Sequence, residues 1–308
     1  MQLNNNPIYK FFFKKENYTT LGLLRILTTT VLLLSLINDF PFVVDYFSDE
    51  GVLSGRVDVM RSEYRFTILD YFESPEYVVI SYLLLIVFTL MLLIGKFTRT
   101  SAIIAFILLA SFHEKNTLVL NSGDTLMRLM LFYLAIASSG KCLSLDSIKK
   151  RKSSTSKEYK EWQQGYIWPR RLMQIQLAIV YLFAFLPKTG VTWRDGTAIY
   201  YFLANSHFAR FSFNFTAGLI ILTIILTYAT LLTELLFPIL VWIKRTRKYM
   251  LIAGIMLNFG ILIFSNITFF SLIMIVAHLA FIEPETANKK LIQVKKYIKN
   301  LPRINKIN

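Results

Sequence analysis

The chain of 308 residues has almost no cysteine, and it lacks the short motifs that mark nucleotide-binding and metal-dependent enzymes. Its single cysteine, Cys142, excludes a disulfide framework within the chain. No glycine-rich phosphate loop, no cluster with metal-ligand spacing and no repeat of fixed period occurs in the sequence. We therefore predict no metal site and no solenoid.

Acidic residues are also scarce, because 19 Asp and Glu stand against 34 Lys and Arg and give a net charge of +15. Such a charge can indicate nucleic-acid binding, but here the basic residues lie in short stretches between apolar runs. This pattern is typical of loops that face an anionic cytoplasmic leaflet. It predicts a lipid bilayer around the chain and no nucleic-acid partner.

Apolar side chains are abundant, at 55% of the residues, and several runs approach the ~20 residues that a helix needs to cross the hydrocarbon core. The sequence therefore predicts an all-α integral membrane protein, a polytopic bundle of about eight transmembrane helices. The predicted helices cover roughly residues 20–37, 77–94, 101–112, 123–137, 168–187, 216–243, 249–264 and 267–282. The first helix is interpreted as uncleaved, because no small-residue cleavage site follows it.

The lysine and arginine content of the loops predicts the orientation. The connections after the second, fourth and sixth helices and the C-terminal segment are basic, so both termini are predicted to be cytoplasmic. The chain then divides into a cytoplasmic or interfacial N-terminal segment (1–19), a membrane domain (20–282) and a basic cytoplasmic tail (283–308). A disordered tail is the alternative for residues 1–19. We expect a multi-pass protein of a bacterial inner membrane.

The segment from Trp168 to Tyr201 carries polar side chains at a regular interval within an apolar run. Gln174, Tyr181 and Lys188 are spaced seven residues apart, so on a helix of ~3.6 residues per turn they share one stripe. An amide, a phenol and an amine facing lipid would leave polar groups unpaired. The stripe is therefore predicted to face protein or water.

Further ionisable residues lie within the predicted helices. Asp124 and Arg128 are one helical turn apart and are predicted to pair, either as a structural clamp or in a functional site. Glu234 and His278 lie deep in their helices, where ionisable groups are functional candidates, but each could simply pair with Arg128 or an amide. Arg25 is expected to snorkel from the first helix to the headgroups.

Lys188 carries the most specific hypothesis. In a partly dry pocket its amine would lose hydration in the charged form, which would suit a general base or a nucleophile. The alternative is a lysine that snorkels to the headgroups beside Trp193, an interfacial anchor. The residues alone leave both interpretations open.

Several motifs resemble those of the horizontally transferred transmembrane (HTTM) family over nearly the whole chain. They are Tyr46-Phe47-Ser48-Asp49-Glu50-Gly51-Val52-Leu53, Ser111-Phe112-His113-Glu114-Lys115-Asn116, Asn121-Ser122-Gly123-Asp124, Gln174-Ile175-Gln176, Tyr181, Lys188, Trp193 and Asp195-Gly196-Thr197-Ala198. The family includes bacterial membrane proteins, proteins of the sporulation-delaying toxin export type and the membrane part of vitamin K-dependent gamma-carboxylase. The resemblance implies a helical membrane fold without implying one activity.

In the carboxylase, a lysine shortly before a tryptophan is the base that deprotonates reduced vitamin K, and Lys188 followed by Trp193 resembles it by position. The resemblance therefore implies a quinone or another lipid-soluble small molecule as ligand. Glutamate carboxylation is not expected, because residues 140–146 and Asn258 depart from the carboxylase motifs. The long extracytoplasmic region that binds the carboxylase's protein substrate also has no counterpart in these 308 residues.

These arguments predict an intramembrane polar cavity near the outer leaflet, covered by the loop from Trp193 to Tyr201. Lys188 is the predicted catalytic residue, although the sequence does not decide between an enzyme and a binding protein. The predicted ligand-binding residues are Gln174, Tyr181, Trp193, Asp195, Asn121, Asp124, Arg128 and Glu234. The alternative, implied by the toxin-export relatives, is a non-catalytic membrane partner in the processing or export of a small peptide or toxin.

Overall fold

The computed structural model describes residues 6–52, 67–71 and 74–300, and their regular structure is almost entirely helical. The helices are α1 (Pro7–Phe13), α2 (Thr19–Asp39), α3 (Val43–Phe47), α4 (Pro75–Ile94), α5 (Thr98–Lys115), α6 (Ser122–Ile136), α7 (Leu145–Lys152), α8 (Ser156–Trp162), α9 (Trp168–Phe185), α10 (Val191–Arg194), α11 (Ala198–Ala204), α12 (Ala217–Leu240), α13 (Lys244–Phe264), α14 (Thr268–Ala277) and α15 (Pro284–Asn300). The predicted helical class is therefore confirmed. Leu53 of the first family motif and residues 301–308 of the predicted tail lie outside the described residues.

Short connecting elements complete the described fold. Single-turn 3-10 segments cover Phe40–Phe42, Ile68–Tyr71, Ser139–Lys141 and His278–Phe281. Strands β1 (Lys15–Asn17) and β2 (Gln164–Tyr166) pair antiparallel, with Lys15 opposite Tyr166. The strand pair was not predicted, since each strand is only three residues long.

The helix boundaries follow local stop signals. α4 begins with Pro75 and ends before Gly95, which adopts the left-handed conformation at φ 73° that closes a helix C-terminus. α12 ends at Leu240, two residues after Pro238, which lacks a backbone N–H. The predicted end of this helix at residue 243 was therefore too late, whereas most other predicted boundaries agree with the structure within a few residues.

Membrane-spanning potential is concentrated in a subset of these helices. Four segments are long and apolar enough to cross a membrane, namely Thr19–Phe47, Pro75–Ile94, Ala217–Leu240 and Lys244–Phe264. α14 with α15 adds a fifth if this pair, bent by 112°, counts as one span. α5, α6 and α9 are shorter or more polar. The structure thus has four to five apolar candidate spans, and the predicted count of about eight and the sides of the termini stay predictions.

The bundle is organised around α2, which packs against α4, α6 and α14. In its most apolar stretch 61% of the residues are buried, compared with 17% in α12 and 11% in α13. α2 is therefore surrounded by protein, whereas α12 and α13 present most of their side chains outward. α9 packs along α12, and this pair of helices positions the candidate site.

The buried position of Arg25 contradicts the prediction that its side chain snorkels to the headgroups. Its side chain is fully buried, and Nη2 donates a hydrogen bond to the Leu143 carbonyl at 2.5 Å. Room for the guanidinium comes from Gly95, because a Cβ at that position would lie 2.0 Å from Arg25 Nη1. The connection after α6 folds back over this part of α2 and gives the arginine a partner inside the protein.

The N-terminal segment is folded against the bundle, which disfavours the alternative of a disordered tail from residue 7 onward. Phe11 lies under the Arg171 guanidinium, 4.3 Å from ring centroid to Cζ, and 5.7 Å from the ring of Trp242.

The single cysteine, Cys142, is buried, and this burial raises the pKa of its thiol. The cysteine is thus a packed, poorly reactive side chain.

The closest helix packing beside the site occurs at Gly254 on α13 and predicts an asymmetric response to alanine. A Cβ at Gly254 would lie 2.5 Å from His278 Nε2 and 2.6 Å from the Tyr181 hydroxyl, whereas one at Gly260 would meet nothing within 4 Å. We expect Gly254→Ala to lower the free energy of unfolding in detergent by about 2 kcal/mol relative to Gly260→Ala. Equal thermal unfolding of the two variants would contradict this packing.

Candidate functional site

Lys188 lies in a break between two helices. α9 ends at Phe185, and the Lys188 amide donates to the Phe185 carbonyl at 3.0 Å in a turn that contains Pro187. α10 begins at Val191 after the extended Gly190. The break follows from Pro187, which cannot continue the hydrogen-bond ladder of α9. It turns the lysine side chain toward α12.

The Lys188 ammonium is held between a carboxylate and an aromatic ring. Nζ forms an ion pair with Oε1 of Glu234 and lies 4.8 Å from the centroid of the Trp193 ring. The two side chains of the pair are only 19% and 7% exposed. Among the described residues, Glu234 Oε2 is buried and has no hydrogen-bond partner. The site therefore combines a sheltered cation with an unused acceptor oxygen.

Glu234 lies in the interior of α12, about 25 Å from its first residue and about 9 Å from its last at 1.5 Å per residue. A carboxylate this far from a helix end, in an apolar helix, needs a partner. The sequence left open whether that partner is Arg128 or an amide. The structure shows that it is Lys188.

The segment after Lys188 is pinned along α12. The Tyr228 hydroxyl donates to the Arg194 carbonyl at 2.7 Å, and the Ile199 amide donates to Thr227 Oγ1 at 3.2 Å. Gly196 has φ 81°, and a Cβ there would lie 2.8 Å from Ile224 Cγ2. About 16 Å of α12 precedes Tyr228. The loop that was predicted to cover the polar cavity therefore packs beside the middle of α12.

Asp195 does not join Lys188. It is exposed, and its Oδ1 accepts hydrogen bonds from the Thr197 amide at 2.9 Å and the Thr197 hydroxyl at 2.6 Å. Such an aspartate fixes a turn in its own backbone. Trp193, by contrast, lies next to Lys188, with Nζ 4.8 Å from its ring centroid.

Tyr181 on α9 belongs to a separate buried polar group. This group contacts α12 at Phe237, which is one helical turn beyond Glu234. The Tyr181 hydroxyl is 3.0 Å from His278 Nε2 and accepts a hydrogen bond from Asn258 Nδ2 at 3.0 Å. The Tyr181 ring stacks on Phe237 with centroids 4.0 Å apart. His278 Nδ1 is also 2.7 Å from the Met274 carbonyl, so neither Arg128 nor an amide side chain is its partner.

Gln174, the third residue of the predicted stripe, is buried and joins α9 to the 3-10 segment that follows α14. Its Nε2 donates to the Ala280 carbonyl at 2.7 Å, and its Oε1 accepts from Arg171 at 2.8 Å. Gln174 and Tyr181 thus face inward from α9, whereas Lys188 lies in the turn beyond the end of α9, and each of the three contacts a different partner. The spacing of seven predicted the inward face of α9 and not the partners.

Asn121, Asp124 and Arg128 lie apart from Lys188, and the predicted Asp124–Arg128 pair is wrong. Asp124 Oδ2 accepts from the Asn121 amide at 2.7 Å, while the Asn121 side chain accepts from the Gly123 amide, as in a capping box. Arg128 Nη1 instead contacts Glu114 Oε1 at 2.5 Å. The Asp124 carboxylate is engaged in the helix cap, and Arg128 therefore pairs with Glu114 of α5.

The structure therefore brings together Lys188, Glu234 and Trp193 out of the predicted set, with Tyr181 in the adjoining group. The single polar cavity of the prediction is divided. Asn258 and His278 are the partners that sequence reasoning did not connect to Tyr181. The available signal was their position as isolated polar residues in apolar helices.

Comparison with protein families agrees with this architecture. A family model for the HTTM domain matches residues 13–285, which is most of the chain. The chain belongs to the HTTM family. No curated protein and no solved structure matches it. As an HTTM protein it is a membrane protein, consistent with its apolar candidate spans.

The ion pair of this HTTM protein predicts a distinctive pattern of stability. Lys188→Met leaves Glu234 buried without its partner and should lower the free energy of unfolding by about 3 kcal/mol. The double variant Lys188→Met/Glu234→Gln removes the stranded charge and should recover most of that loss. Thermal unfolding in detergent measures both, with exposed Lys244→Met as the matched control. A double variant no more stable than Lys188→Met would refute the pairing.

Proposed function

We propose that this HTTM protein binds a lipid-soluble ligand with oxygen substituents, a quinone or a similar ring, at the Lys188–Glu234 pair. The observation that carries the proposal is Glu234 Oε2, a buried carboxylate oxygen without a hydrogen-bond partner among the described residues. Leaving such an acceptor unpaired is costly, and a ligand hydroxyl would satisfy it. The oxygen adjoins a sheltered ammonium, so acceptor and donor occur together.

The two charged groups complement a ring that bears oxygen atoms. Lys188 has three N–H donors, of which one is directed to Glu234 Oε1. A second can donate to a ligand carbonyl, while Glu234 Oε2 accepts from a ligand hydroxyl. A bound quinone or quinol would supply those carbonyl or hydroxyl groups on an apolar body. The residues therefore fit this class of ligand.

We propose that Glu234 is the group that takes up a proton from the ligand and that Lys188 assists it as a fixed cation. The carboxylate oxygen Oε2 takes up the hydroxyl proton, and the Lys188 ammonium stays charged beside the oxygen that loses it. A fixed cation at that point stabilises negative charge where it develops. This division of roles keeps the lysine in the catalytic position that the family resemblance implies, and it adds the carboxylate.

Access from the bilayer supports a lipid-soluble ligand rather than a water-soluble one. Phe183, Leu186 and Val191 flank Lys188 along the chain and are 65%, 51% and 73% exposed. α12 likewise has only 17% of its apolar stretch buried. An apolar molecule in the membrane can therefore approach this side of the bundle laterally.

The double variant Lys188→Met/Glu234→Gln tests the proposed site, because it removes both charges without stranding one. Tryptophan-fluorescence titration with the reduced form, decyl-ubiquinol, in maltoside detergent under argon should show saturable quenching in the wild type, because its hydroxyl groups can donate to Glu234 Oε2. We expect at least a tenfold weaker affinity in the double variant, since each lost charged hydrogen bond is worth about 1.5 kcal/mol or more. Lys244→Met is the matched control and should bind like the wild type.

The outcome that contradicts the proposal is equally specific. If the folded double variant binds decyl-ubiquinol with wild-type affinity, the pair is not the site. If the wild type shows no saturable binding, and solvent extraction of the purified protein yields no lipid-soluble compound, the ligand class is wrong.

The exposed α13 favours the second candidate, a non-catalytic partner in processing or export of a small peptide. Only 11% of its apolar stretch is buried, which leaves a face for lipid or for another membrane helix. Copurification of a membrane partner that survives the double substitution, without bound quinone, would favour this role. We keep the predicted topology for both candidates, with cytoplasmic termini and a bacterial inner membrane.

A further inference from the structure

A cavity of about 260 Å³ lies among α2, α3, α4, α5 and α6. Its lining includes Asp39 at the end of α2 and Asp124 in the first turn of α6. Lys188, Glu234 and Trp193 are absent from this lining. The cavity is therefore distinct from the site proposed above.

The charge of this cavity is one-sided. Both Asp39 and Asp124 line it, and none of the described lining residues is a lysine or an arginine. The two carboxylates are held in place, since Asp39 Oδ1 accepts from Asn38 Nδ2 at 2.9 Å and Asp124 Oδ2 accepts from the Asn121 amide at 2.7 Å. Two fixed negative charges in one partly enclosed space favour a cationic guest.

A buried histidine in the same cavity points independently to a ligand. His113 lines it and is only 6% exposed, and its Nδ1 is buried without a hydrogen-bond partner among the described residues. Buried ring nitrogens are normally paired. In the neutral tautomer that carries its proton on Nε2, Nδ1 accepts a hydrogen bond, and a guest with N–H donors would supply the missing one.

Aromatic rings form much of the remaining wall. Tyr82 and Phe47 each pack edge-on against Phe112, with ring centroids 5.0 and 5.1 Å apart. The Tyr82 hydroxyl donates to the Leu36 carbonyl at 3.0 Å, which fixes its ring. Aromatic faces and edges accept the body of an organic cation, and the faces also attract its charge.

From these observations we propose that the cavity binds a small organic cation, an ammonium group on an apolar or aromatic body. A cavity of ~150 Å³ holds benzene, so this larger space accommodates one ring with an aminomethyl arm. A bare metal ion does not fit, because the described residues contain no group of three or more histidine, cysteine or carboxylate side chains placed to hold one.

The ammonium can belong to a free amine or to a lipid headgroup, and competition separates these sources. If dihexanoyl phosphatidylethanolamine competes with benzylammonium for the cavity and binds more tightly than benzylammonium does, the ammonium belongs to a lipid headgroup. Failure to displace benzylammonium would assign the cavity to free amines.

The test uses the purified full-length protein in maltoside detergent with benzylammonium as the probe. Isothermal titration should show saturable binding of benzylammonium and at least tenfold weaker binding of benzyl alcohol, its uncharged analogue. Asp39→Asn and Asp124→Asn should each weaken benzylammonium binding about tenfold or more, because each removes one charge. Asparagine keeps an oxygen that can accept the Asn121 amide in the cap.

Asp45→Asn is the matched control, because Asp45 is an exposed carboxylate on α3 outside the cavity lining. It should bind benzylammonium like the wild type. Size-exclusion chromatography and thermal unfolding confirm that the variants are folded. Absence of saturable binding, equal binding of benzyl alcohol, or unchanged binding in the folded double variant Asp39→Asn/Asp124→Asn would each overturn the proposal.

Discussion

The ion pair between Lys188 and Glu234 is the interaction on which the arrangement of α9 to α12 depends. A carboxylate inside an apolar helix requires a cation, and α9 supplies one by stopping at Phe185 and turning at Pro187. Non-helical backbone at this depth is tolerated where protein covers it, and here the contacts of Arg194 and Ile199 with α12 hold it in place. The break in the helix and the buried charge thus stabilise each other.

Most polar groups within the helices find partners inside the protein, and two of the buried side-chain atoms that lack a hydrogen-bond partner in the described part of the chain belong to the proposed sites. Tyr181 is satisfied by His278 and Asn258, and Arg128 by Glu114. Glu234 Oε2 and His113 Nδ1 are left without partners among the described residues. An unpaired buried group is costly, so a ligand that supplies the missing hydrogen bond would stabilise the fold.

Sequence reasoning located most helices because apolar runs and basic loops are local signals, and it failed where a partner comes from another helix. Asp124 is four residues from Arg128, so spacing favoured a pair, but the helix cap claims the carboxylate and α5 supplies Glu114 instead. Arg25 failed for the same reason, since Leu143 folds back over it from the connection after α6. The inward positions of Gln174 and Tyr181 on α9 were predictable from a spacing of seven, whereas their separate partners were not.

The acidic cavity shows what topology could have revealed without any side-chain geometry. The predicted first and third helices end, and the fourth begins, on the same side of the membrane, which brings Asp39, His113 and Asp124 to one end of the bundle. Ionisable groups at helix ends need not cross the hydrocarbon core, so this end tolerates charges that mid-helix positions would not. Glu234 lacks that freedom and depends on Lys188. The two proposed sites therefore accommodate charge in different ways. Two carboxylates line a partly enclosed cavity at the ends of helices in one site, and a lysine pairs with a carboxylate inside a helix in the other.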